Sequence, residues 1–129
     1  MKIKKLKDIL DFRVKVSVNH NQGVRTYYLI GDNNRPIGSF TIDIEYDEFG
    51  NEEFGSGHLQ DLSLSKEYIG MGISKLVFQI LLREVEKTGY ESVILSVQSD
   101  NTPAVSLYKS LGFKLEKEIE TRYTMYLDL

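Results

Sequence analysis

Residues 69–74 read Ile-Gly-Met-Gly-Ile-Ser, at the point where an apolar strand pattern gives way to an amphipathic helix pattern. A junction this poor in bulky polar side chains lets backbone N–H groups come close to an anion. The helix that begins there adds unpaired donors and the positive end of its dipole. The chemistry on offer is the holding of phosphate, and a run of several N–H groups suits a pyrophosphate. A dinucleotide site would want Gly-x-Gly-x-x-Gly, with an acidic residue about 20 positions further on. Here Lys75 stands where the third glycine would be. A mononucleotide loop would close on Gly-Lys-Ser/Thr, yet Gly72 is followed by Ile73. The cradle fits neither pattern.

A second stretch narrows its meaning. Ile69-x-x-Gly72-x-Ser74 shares its central glycine with Arg/Gln-x-x-Gly-x-Gly/Ala, motif A of the GNAT family of N-acetyltransferases. Downstream, Asn101-Thr-Pro-Ala104-Val-Ser-Leu107-Tyr108-Lys-Ser-Leu111-Gly112-Phe113 matches that family's second signature, Asn-x-x-Ala-x-x-Leu-Tyr-x-x-x-Gly-Phe, at every position. The chain from about residue 59 to 129 therefore resembles the GNAT family, while residues 1–57 resemble it only in the order of their elements.

The resemblance implies acetyl-CoA as acyl donor and an amine as acceptor, either a small molecule or an amine of a peptide or protein. Gly70, Met71, Gly72, Ile73 and Ser74 would hold the pyrophosphate through their N–H groups, with Ile69 in place of the usual Arg or Gln. Leu62, Ser63 and Leu64 would pair their backbone with the pantetheine arm, and Asn101 would lie near it. In the family, the tyrosine of the Leu-Tyr pair serves the leaving thiolate. That makes Tyr108 the expected general acid, since a phenol beside the sulfur can donate a proton as charge develops.

An amine of pKa ~10 must lose its proton before it attacks. His58, one of two histidines, is the expected base, since an imidazole is the side chain best suited to moving protons near neutral pH. Asp61 and Glu45 are further candidates, and Ser96 stands where some relatives carry a Glu base. No metal is called for. Ile69, Ser96 and a shortened N-terminal region also motivate a rival reading: a non-catalytic acyl-CoA-binding or protein-interaction module of the same fold.

These residues need elements to position them. Phe12, Val14, Val16 and Val18 alternate with polar residues, as do Phe40, Ile42, Ile44 and Tyr46, the period of half-buried strands. With Arg25 to Ile30 between them they predict an antiparallel meander. In the next strand, about Ser56 to Leu64, the inward parity passes from odd Leu59 to even Leu62 and Leu64. One inserted residue, a bulge near Gln60 and Asp61, explains this. Ile73, Leu76, Val77, Ile80, Leu81 and Val85 recur at helical spacing up to a stop at Gly89. Ser92 to Val97 reads as a strand, and Thr102 and Pro103 read as the N-cap and first residue of a short helix ending at Gly112. Phe113 to Leu115 and the alternating Tyr123 to Leu129 close the chain as an antiparallel pair. The fold class is α/β (α+β): a mixed, mostly antiparallel twisted sheet with helices on both faces, the GNAT fold with its N-terminal helical region shortened. Where relatives place two helices between their first two strands, Asn19 to Thr26 leaves room for a turn only.

The 129 residues make one domain with enough chain to bury a core. With no cysteine, disulfides and thiolate chemistry are excluded, which fits a reducing compartment. A net charge of -3 argues against a dedicated nucleic-acid binder. Lys2, Lys4, Lys5 and Lys7 are interspersed with Ile3, Leu6, Ile9 and Leu10, a solvated helix face and not a membrane span. A cytoplasmic protein is expected, and the sequence leaves the pairing of two copies as a homodimer open.

Overall fold

The computed structural model describes residues 11–32, 34–70 and 72–129. The lysine-rich segment 2–7 and Met71 lie outside the described residues. The strands are β1 (Arg13–Asn19), β2 (Val24–Ile30), β3 (Pro36–Tyr46), β4 (Glu52–Leu64), β5 (Ser92–Gln98), β6 (Lys114–Ile119) and β7 (Arg122–Asp128). A 3-10 turn, Lys66–Tyr68, precedes helix α1 (Ser74–Thr88), and helix α2 (Thr102–Ser110) follows β5. The strands form one sheet in the order β1-β2-β3-β4-β5-β7-β6. Among the described residues only the β4–β5 contact is parallel.

Sequence periodicity explains which face is buried. Tyr27 and Leu29 of β2, Phe40 and Ile42 of β3, Leu59 of β4, Val93, Leu95 and Val97 of β5 and Met125 of β7 all enter one core. The apolar stripe of α1 covers them with Val77, Phe78, Leu81, Leu82 and Val85, and α2 adds Val105. Burying each such side chain contributes roughly 1.5–3 kcal/mol. Leu76, predicted in the stripe, is 47% exposed at its edge.

Helices were expected on both faces, but among the described residues both pack on the same one. Handedness is the reason. The connections β4-α1-β5 and β5-α2-β6 both join parallel strands while moving the same way across the sheet. Right-handed crossovers then place both helices on one side. The opposite face carries Thr26, Thr41, Asp43, His58, Gln60, Ile94, Ser96 and Thr124.

β1 and β2 are joined by a tight turn in which Gln22 N donates to Asn19 Oδ1 at 3.1 Å, so no helix lies between them. β1 is less buried than its alternation predicts. Val16 and Val18 are 39% and 40% exposed, because β1 is the sheet edge and lies beyond the reach of α1 along most of its length. Only Val14 packs against the core.

Candidate active site

The strand pair that opens the site is built by a register break. β4 and β5 pair at Ser56↔Ser92, Gly57↔Val93 and His58↔Ile94, and then stop. Beyond that point β5 stays bound to β7, and β4 to β3. Segments 59–64 and 95–98 therefore diverge, each held by its outer neighbour, and backbone groups on both sides face the gap.

The expected bulge is part of this opening. Thr41 pairs with Gln60 but Ser39 pairs with Ser63, so β4 carries an extra residue there. Asp61 takes it up in the left-handed region at φ 55°. Leu62 and Leu64 are thereby returned to the core side, where they pack against the buried cluster.

At the other end the strands are clamped shut. Arg25, 6% exposed, donates to Tyr90 Oη at 3.0 Å and to both oxygens of Glu52 at 3.0 and 3.1 Å. Its guanidinium also lies over the Phe54 ring, 5.2 Å from the centroid. A charge this buried is kept by complete pairing. Glu91 N donates to Gly55 O at 2.9 Å across the same end. Gly57 makes the packing close here, since a Cβ would stand 3.1 Å from the side chains of both Ile42 and Tyr90.

The glycine junction arrives at the start of α1. Gly70 and Gly72 have φ of 81° and 73°, and a Cβ on either would meet nothing within 4 Å. The N-cap residue is Ile73, which offers no side-chain acceptor, and the first turn holds no acidic residue. The helix therefore begins with N–H donors that no capping side chain satisfies, behind a backbone turned outward at two left-handed glycines. Such a nest fits an anion. Ile69 beside it is 63% exposed, and Ser74 is half-buried.

Asn101 differs from its expected role. It, and not Thr102, is the N-cap of α2: its Oδ1 accepts from Ala104 N at 3.3 Å. The cap occupies the oxygen and leaves the amide N–H groups free for a ligand. Tyr108 is half-buried on the core side of α2, its ring 5.9 Å from that of Phe113. Burial pushes its phenol above the ordinary value, so the hydroxyl keeps its proton throughout the neutral range.

His58 is exposed on the opposite face, which no described helix covers, with Asp43 and Ile94 as its register partners. Asp43 in turn accepts from Gln60 Nε2 at 2.6 Å. Glu45 is placed far from the opening, opposite Glu53 at the clamped end. Ser96 accepts from Arg122 Nε at 2.9 Å. Arg122 was missed by sequence reasoning; only its place at the start of the last strand could have drawn attention to it.

The structure thus brings the cradle, the bulge and the end of β5 around one slot, with His58 and Tyr108 on opposite sides of the sheet. Cavities of about 470 and 170 Å³ lie elsewhere, between α1 and the chain's C-terminus and between α1 and β1, and none of their lining residues belongs to the slot. The slot is an open cleft, as the exposure of Asp61, Ser63, Ser96 and Gln98 shows. Among the described residues no His, Asp or Glu cluster could hold a metal ion, and no helix is long and apolar enough to cross a membrane.

Comparison with known proteins agrees with this architecture. The profile of the acetyltransferase (GNAT) family matches residues 5–113, and the chain belongs to that family. It is similar to the N-alpha-acetyltransferase 30 of Schizosaccharomyces pombe, with 33% identity over 56% of this chain and 46% of that protein. It is also similar to the mycothiol acetyltransferase of an Arthrobacter strain, with 37% identity over 44% of this chain and 18% of that one. The chain thus spans less than half the length of these two relatives. Among solved structures, the spermidine N-acetyltransferase of Vibrio cholerae, in complex with coenzyme A and spermine, superposes with a TM-score of 0.66. The identity is 21%, over 84% of this chain and 68% of that one, and the likeness is one of fold.

Proposed function

We propose that the chain is an acetyl-CoA-dependent N-acetyltransferase that joins its two substrates across the β4–β5 slot by direct attack of a primary amine on the thioester. The observation that carries this reading is the combination of an uncapped α1 N-terminus behind Gly70 and Gly72 with two strands that stop pairing beside it. Bound acetyl-CoA supplies an activated acyl group and a good leaving thiolate.

The chain's own residues do the rest. N–H groups of Gly72, Ile73 and Ser74 hold the pyrophosphate, joined by Gly70 and, by the family motif, Met71. The backbone groups of Leu62, Ser63 and Leu64 on the edge away from β3, left without a β5 partner, bind the extended arm along β4. Asn101 offers its amide N–H groups at the end of β5. On the uncovered face His58 takes the proton from the incoming ammonium, directly or through a water, with the carboxylate of Asp43 as its register partner. On the helix face the Tyr108 hydroxyl gives a proton to the departing sulfur and regains one, through solvent, from the attacking nitrogen as the amide forms. Base and acid on opposite sides of the sheet suit an amine that enters from one face while the thiol leaves on the other.

Calorimetric titration with coenzyme A tests the cradle. Gly72→Glu places a carboxylate where phosphate is held and asks a side chain to adopt φ 73°. A loss of affinity of at least about tenfold is expected, equivalent to roughly 1.4 kcal/mol. Unchanged affinity would refute the pyrophosphate assignment.

A further inference from the structure

We propose that Arg122 anchors a free carboxylate on the acceptor, and that the acceptor is a dipolar amine of the size of a dipeptide or of lysine. This rests on the acyl-transfer reading of the slot. The uncovered sheet face is where His58, Ser96 and Arg122 all project, by the alternation that sends Leu59, Val97 and Tyr123 to the core. Arg122 lies at the start of β7, opposite Gln98 at the end of β5 and thus at the mouth of the slot.

Its guanidinium is held in place but not neutralised. Nε donates to Ser96 Oγ at 2.9 Å. In the amide orientation that satisfies both ends of Gln98, Gln98 accepts from Arg122 Nη1 at 2.8 Å and donates to Thr121 O at 3.1 Å. Both side-chain partners are neutral, and no salt bridge engages Arg122 among the described residues. A guanidinium has five N–H donors, so several remain for a ligand. Two neutral contacts fix its plane, and a planar fork so fixed recognises carboxylate in a bidentate way with little ordering left to do.

The other end of the uncovered site has the opposite sign. Asp43 lies across the ladder from His58, where an incoming ammonium must sit to lose its proton. Ser96 stands two residues beyond Ile94, the partner of His58, or about 7 Å along the strand. An α-amino acid, whose ammonium and carboxylate share one carbon, matches this separation less well than a dipeptide or the side-chain amine of lysine. A polycation would meet Arg122 with like charge.

Steady-state acetylation of L-alanyl-L-alanine against L-alanyl-L-alaninamide, and of lysine against cadaverine, tests the assignment. The acid of each pair should exceed its uncharged-end counterpart at least tenfold in kcat/KM. Arg122→Gln should collapse that ratio towards one through the acceptor KM, with the KM for acetyl-CoA and the melting temperature held, and Arg122→Lys should restore part of it. A ratio at or below one in the natural protein, or one unmoved by Arg122→Gln, would overturn the proposal.

A readout without turnover separates this from the acyl-transfer reading itself. In the protein saturated with coenzyme A, the Arg122 Nε resonance should shift on addition of the dipeptide acid and not of its amide. That shift would uphold the anchor even in a protein that transfers nothing, and its absence would remove the anchor whatever the turnover.

Discussion

Tyr108 is where the account is most exposed to a single substitution. Burial holds its phenol protonated above the ordinary range, which is what an acid for a thiolate needs. If it acts so, Tyr108→Phe should lower kcat by about 10²–10⁴, while calorimetry shows coenzyme A affinity within a few-fold of the natural protein. Undiminished turnover would reassign Tyr108 to packing against Phe113. The sequence made Tyr108, the glycines and Asn101 legible because their types and spacing form a signature. It could not show that Asn101 spends its oxygen as a helix cap, since a cap and a ligand contact ask for the same residue type. Arg122 stayed invisible for another reason: an arginine in an alternating strand looks like any solvated charge until its partner across the ladder is known.

At the scale of the elements, the bulge in β4 at Asp61 follows the last β4–β5 pair and sits at the start of the slot. The parity change from Leu59 to Leu62 and Leu64 gave it away in the sequence, because a period of two cannot change phase without an extra residue. Deleting Asp61 should restore the ladder and turn Leu62 and Leu64 out of the core. Urea unfolding should then show a loss of about 2–4 kcal/mol, with coenzyme A binding abolished. Asp61→Gly, which accepts φ 55° without strain, should keep both. If the deletion binds coenzyme A normally, the bulge is an ornament of the strand edge. The parallel β4–β5 pairing and its early end were not legible, since pairing between distant strands leaves no local trace. The placement of both helices on one face follows from handedness once the strand order is known, and the strand order was not.

On the scale of the whole molecule, the Arg25 clamp ties β2 to β4 and to Tyr90 beyond α1, and the Tyr27 hydroxyl ties β2 to α1 itself. Tyr27, fully buried, donates to Thr88 Oγ1 at 2.8 Å. Burial pushes its phenol up to about 12 from 10.0. A folded-state value raised above the unfolded one means that the folded chain holds its proton more tightly. The associated stability is therefore complete below pH 10 and is lost as pH rises through about 12. Chemical unfolding followed across that window should show a fall of up to about 3 kcal/mol, and Tyr27→Phe should flatten much of the slope. An equally steep slope in Tyr27→Phe would place the effect in other groups. None of this was visible in the sequence, where Tyr27 was one residue of a strand between two others. The most direct measurement of the central claim follows free thiol released from acetyl-CoA with L-alanyl-L-alanine as acceptor, with mass spectrometry of the product. The account predicts thiol and acetylated amine in equal amounts, both dependent on the protein and both lost in Gly72→Glu. Coenzyme A binding without acetylated product on this or any other amine would contradict it and leave a binding module in its place.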